Sequence, residues 1–191
     1  MEWNLSETMV LAMPKCAYCQ GYGMRAGRRK NDEYPCDCVY RKVFRTCYKA
    51  FRRCVETEKR ICTVSMERSF DSPGKGFYGR KIEEYIADFC VVSRRVLNPA
   101  QYLVFRYHFL LGAGCKPCCQ ALKMNQGTFF HRVYYIEKTL GRVFCELEPY
   151  SLFPLDAYFH GARLAPAAIV EKMPPRSARK GSPDSLLLKI A

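Results

Sequence analysis

The sequence predicts a mostly α-helical protein, with a small cysteine-rich segment organised by a metal ahead of several helices. Three observations predict it. Four of the twelve cysteines crowd into residues 16–38 among glycines. From Val39 onward, apolar residues recur at spacings of three and four, the period of a helix face. Asn98-Pro99 and Asn125 stand where further helices would be capped.

The chain has 191 residues, enough for one medium domain or two small ones. It is 49% hydrophobic and 14% aromatic, the composition of a folded protein. Its formal net charge is +13, from 31 Lys and Arg against 18 Asp and Glu. Such a surplus gathers polyanions, of which nucleic acid is the commonest in solution. Resistance to aggregation and contact with anionic membranes are the other uses of a basic surface. Glu2 and Glu7 in the opening residues do not suit a secretory leader, and no apolar run approaches the ~20 residues that span a bilayer. A soluble, cytoplasmic protein with no membrane partner is expected, in which cysteines serve as metal ligands or small core residues rather than disulfides.

Taken in order, residues 1–67 read as a cysteine-rich zinc module ending in a basic helix. Val39, Val43, Cys47, Phe51 and Cys54/Val55 predict that helix to about Thr57. Its other face carries Arg41, Lys42, Arg45, Lys49, Arg52 and Arg53, and residues 24–60 hold 12 Lys and Arg against 5 Asp and Glu. That imbalance suits phosphate contacts as well as a solvated face. Residues 68–79, with three Gly and a Pro, read as a linker. Residues 80–160 read as a second, helical domain. Its first helix runs from about Arg80 to Val96, with Ile82, Tyr85, Ile86, Phe89, Val92 and Val96 on one side. The aromatic stretch 150–159 reads as an extended arm packed on a core, and 161–191 as a disordered tail.

Cys16-x2-Cys19 and Cys36-x-Cys38, sixteen residues apart, offer four thiolates to the tetrahedral demand of one Zn2+. Four protein ligands leave no position for water, so the zinc would be structural. Gly21 and Gly23 suit the positive φ that a knuckle needs past its second cysteine. Cys47, Cys54 and Cys62 are the alternative ligands, although Cys47 and Cys54 lie on the apolar stripe of the helix. The run Cys16-Ala17-Tyr18-Cys19-Gln20-Gly21-Tyr22-Gly23 resembles the C-x2-C-x-G-x-G half-sites of DnaJ-type zinc fingers and of the Q antiterminators of lambda-like phages. Cys36-Asp37-Cys38 stands in place of a second such half-site.

Residues 97–147 are the most informative. Pro99 opens a helix to Leu111 that buries Tyr102, Val104/Phe105, His108/Phe109 and Leu111, and Gly112-Ala113-Gly114 ends it. Lys116–Lys123 predicts a short helix with Cys118, Cys119 and Leu122 inward. After a turn at Met124-Asn125-Gln126, a longer helix reaches Leu147, with Phe130, Val133, Ile136, Leu140, Val143 and Phe144 as its apolar side. Short helix, turn and longer helix make a helix-turn-helix unit. Cys115-x2-Cys118 also has the spacing of a metal pair, at a place where packing calls for small residues.

The run from Leu97-x-Pro99 through Phe109-Leu110-Leu111-Gly112 to Ile136-Glu137-x2-Leu140-Gly141-Arg142 resembles region 4 of sigma-70 factors and related regulators. The whole chain is also similar to proteins of bacteriophages and prophages, which implies a bacterial host cytoplasm. The resemblance implies that the last helix enters the major groove of double-stranded DNA. Its outward positions are then Gln126, Thr128, Phe129, His131, Arg132 and Tyr135. Arg132 would pair with guanine, Gln126 with adenine, and Phe129 or Thr128 would meet a thymine methyl. Lys116, Lys123, Lys138 and Arg142 would hold phosphates.

A sequence-specific, DNA-binding transcription regulator is therefore expected. The alternative is a factor acting with RNA polymerase, an antiterminator or a sigma-like protein. An enzyme is not expected: the three His are scattered, no acidic cluster has two-metal spacing, and no Gly-rich loop precedes a helix.

Overall fold

The computed structural model describes residues 3–27, 33–64, 76–148 and 151–160, of which 60–64 and 76–80 are described by their backbone. Helix α1 (Leu5–Leu11) precedes a hairpin of β1 (Met24–Ala26) and β2 (Glu33–Pro35), paired antiparallel with Met24 opposite Pro35. Helix α2 (Asp37–Val64), α3 (Gly76–Val96), α4 (Pro99–Phe105), α5 (Cys115–Ala121), α6 (Gln126–Glu146) and α7 (Leu155–His160) follow. No helix among the described residues is long and apolar enough to cross a membrane.

The three-four periodicity that begins at Val39 makes α2 the central element. It buries Val39, Val43, Phe44, Cys47, Phe51 and Cys54 and leaves Lys42, Arg45, Lys49, Arg52 and Arg53 exposed. The helix runs past the expected end at Thr57, and α3 starts at Gly76, inside the expected linker. The rest of that linker and the expected tail at 161–191 lie outside the described residues.

Phe44 is the hub of the core. Its ring meets the edge of Phe109 at 5.0 Å and lies parallel to Phe144 at 6.1 Å, while Phe51 stacks on Phe89 at 4.4 Å. These rings come from α2, α3, α6 and the segment after α4, so the core belongs to both halves of the chain. The described residues up to Phe159 make one compact unit, and its main core cluster draws on both expected divisions, 1–67 and 80–160. The reason is that α2 has its large apolar residues facing α6, and neither half buries that face alone. Gly141 sets how closely the two helices approach. A Cβ there would run into the Tyr40 carbonyl and come within 3.2 Å of the Phe44 nitrogen.

Caps form at the expected asparagines. Asn98 Oδ1 accepts from the Gln101 N–H at 2.9 Å, with Pro99 following, and Asn125 Oδ1 accepts from the Thr128 N–H at 2.7 Å. Past α4 the backbone widens into a π-helical turn, Arg106–Leu110. The wider turn changes the facing: Phe109 is buried, while Leu111, expected inside, is 65% exposed. The arm after α6 does pack on the core, since Leu152 is fully buried and its N–H donates to the Phe144 carbonyl. It then forms α7 rather than staying extended, because the Tyr158 ring packs on Tyr85 at 4.9 Å and its hydroxyl donates to Asp88 at 2.7 Å.

Candidate metal centre and nucleic-acid interface

One knuckle and the start of α2 bring the four cysteines together. Backbone N–H groups of Gln20 and Tyr22 donate to the carbonyls of Cys16 and Cys19, and Gly21 and Gly23 take φ of 95° and 79°. Gly23 is also the point of closest approach to α1, where a side chain would collide with Thr8. The Cys36 N–H donates to the Gly23 carbonyl, tying the second pair to the first, and Cys38 sits in the opening turn of α2. The sequence alone did not reveal α1 or the hairpin. Each is too short for a periodic signal and is held by contacts to the knuckle.

All four Sγ atoms lie within 4.8 Å of one another and all four residues are buried. Cys16 and Cys36 are 3.8 Å apart, Cys19 and Cys38 3.5 Å. A tetrahedron with Zn–S of about 2.3 Å has edges of about 3.8 Å. The donor set and spacing are thus compatible with a structural zinc site. Burial pushes the Cys36 and Cys38 thiols up. Burial acts the same way on Cys16, but hydrogen bonds from Cys19, Tyr18 and Cys36 bring it down to about 7. A metal held by the four thiolates would displace the protons these thiols carry.

Other cysteines divide as their burial dictates. Cys47 and Cys54 are core residues, and Cys62 lies outside the described side chains. Cys115 and Cys119 have sulfurs 3.8 Å apart, yet among the described residues only the Cys16 cluster gathers three or more metal-ligand atoms.

Helix α5, the turn after it and α6 have the expected order. On α6, Gln126, His131 and Tyr135 are exposed, and Thr128 and Arg132 are half-buried. Phe129 departs from expectation. It is 1% exposed, with its ring edge against His108 at 5.2 Å. The buried stripe runs Phe129, Val133, Ile136, Leu140 and Phe144, which turns Phe130, expected inside, to solvent beside Tyr134. Either of two adjacent phenylalanines could start the stripe, and the π-helical turn carrying His108 and Phe109 selects Phe129.

The basic residues also sort themselves. Arg41 and Arg45, expected as phosphate contacts, are committed within the fold. Arg41 Nε donates to Glu137 Oε2 at 2.9 Å, and Arg45 donates to both Glu137 oxygens at 2.9 and 3.0 Å. Glu137 occupies the buried side of α6 and needs those charges there. Its acid between Ile136 and Leu140 was the available signal. Lys42, Lys49, Arg52 and Arg53 stay exposed, as do Lys116 and Lys123. Lys138 reaches Asp37 at 3.0 Å and Arg142 reaches Glu146 at 3.0 Å. Both are surface pairs, worth under about 1 kcal/mol, and release their cations easily.

No protein-family model, curated protein or solved structure matches this chain.

Proposed function

We propose that the protein is a sequence-specific DNA-binding transcription regulator of phage or prophage origin, acting in the bacterial cytoplasm with one structural Zn2+. The observation that carries this reading is the outward face of α6, held by its Asn125 cap. That face offers Gln126, His131, Arg132 and Tyr135, at positions that a helix in a major groove would direct to base edges. The net charge of +13 supplies the attraction to phosphates.

The test is selection of random duplex DNA by the zinc-loaded chain at about 150 mM salt, where non-specific binding is weak. An enriched motif is expected. Arg132→Ala should then lose about 1–3 kcal/mol on that motif and relax one base pair. A flat selection would sink the reading.

A second reading is a factor that works with RNA polymerase. It draws on the apolar surface of α1, where Leu5 is 54% and Val10 82% exposed, since such patches suit protein partners. Duplex binding that strengthens only with polymerase present would favour it.

A further inference from the structure

We propose that the groove between the cysteine knuckle and α6 seats one phosphodiester strand of the bound duplex, making the metal-organised segment a wall of the DNA interface. This rests on the DNA-binding reading and extends it to residues outside the helix-turn-helix. The groove has a volume of about 540 Å3. Lys15 and Tyr18 line it from the knuckle, Asp37 from α2, and His131, Tyr135 and Lys138 from α6.

Continuity is the first argument. His131 and Tyr135 belong both to the groove and to the outward face of α6. A strand flanking that face therefore meets the knuckle next.

Charge is the second. Lys15 is exposed, without an acidic partner among the described residues. Lys138 is held by Asp37 between side chains 44% and 40% exposed, a contact a phosphate can replace. Arg41 also lines the groove, fixed by Glu137 and seated 4.2 Å from the Tyr134 ring centre. Among the described residues, Asp37 is the one carboxylate lining the groove.

The tyrosines are the third. Tyr18 is 72% and Tyr135 47% exposed, and phenol hydroxyls are ordinary donors to phosphate oxygens. One internal competitor exists for the cations. Zn2+ in four thiolates keeps two formal negative charges, and Lys15 adjoins Cys16 in sequence.

The experiment measures binding of a labelled mixed-sequence duplex by the zinc-loaded full chain across a salt series, with zinc content determined for each variant. Phosphate contacts do not read sequence, so no target site is needed. Lys15→Gln should weaken binding about 3- to 10-fold and reduce the salt slope by about one. Asp37→Asn, which frees Lys138 and removes a negative charge, should strengthen it about 3-fold. Both variants should keep their zinc. Unchanged affinity in both overturns the proposal, as does a Lys15→Gln protein that loses zinc and regains full affinity when zinc is restored. If the groove alone is wrong, wild type still binds duplex and Arg132→Ala still relaxes specificity. If wild type binds no duplex, the DNA-binding reading falls with it.

Discussion

Arg41 on α2 donates to Glu137 on α6 at 2.9 Å, where the Glu137 side chain is only 6% exposed. The two residues are 96 positions apart, and the pair joins the turn after Cys38 to the middle of α6. Removing the cations strands a buried carboxylate, which costs far more than an exposed pair is worth. Replacing both Arg41 and Arg45 by Ala should destabilise the protein by about 3 kcal/mol in urea denaturation. Glu137→Gln should cost less, about 1 kcal/mol, because it leaves the partly exposed guanidinium groups to water. Equal costs would show that the carboxylate does not depend on both arginines.

Gly141 tests the helix contact itself. Alanine is the better helix former by about 1 kcal/mol, yet here its Cβ would meet the Tyr40 backbone rather than a flexible side chain. Gly141→Ala should therefore lose about 3 kcal/mol, the upper end of overpacking costs, and shift the denaturation midpoint downward. A stabilised variant would mean that α2 and α6 leave room for a methyl group at this contact.

Zinc should bind one ion per chain through Cys16, Cys19, Cys36 and Cys38. Cys16→Ser with Cys19→Ser should abolish it, read by metal analysis. The knuckle and hairpin hold few large apolar residues, so amide protection over residues 1–40 should fall sharply. Protection from Val43 onward should persist, because Phe44, Phe51 and their partners stay buried. Global unfolding on zinc loss would mean that the aromatic core cannot hold α2 by itself.

The thiols of Cys47 and Cys145 carry a pH dependence. Burial, the largest cause for each, raises them from 9.0 to about 12. A thiol whose folded value is raised contributes stability that is complete below its unfolded value near 9. That contribution drains away as pH climbs from about 9 to 12. Denaturation midpoints should hold from pH 7 to 8.5 and fall above pH 9, and neither thiol should alkylate at pH 8 in the folded chain. Ready alkylation of Cys145 at pH 8 would place it at the surface.

Much of the local structure was legible in the sequence, because its causes are local. The Asn98 and Asn125 caps, the α2 stripe from Val39 and the positive φ at Gly21 and Gly23 each depend on residues within a turn or two. The pairing of the four cysteines was legible too, since two close pairs in a stretch without core can meet around one metal ion. Other features depend on partners far along the chain. Phe129 rather than Phe130 turns inward because the π-helical turn before α5 presents His108 to it. Arg41 and Arg45 turn toward Glu137, remote in sequence, because its buried carboxylate lies opposite them. The knuckle and α6 share one groove because α2 needs α6 to cover its aromatic face. Caps and periodicity are short-range effects that a sequence displays by itself, whereas the choice between equally apolar faces and the pairing of buried charges are settled only when the core closes.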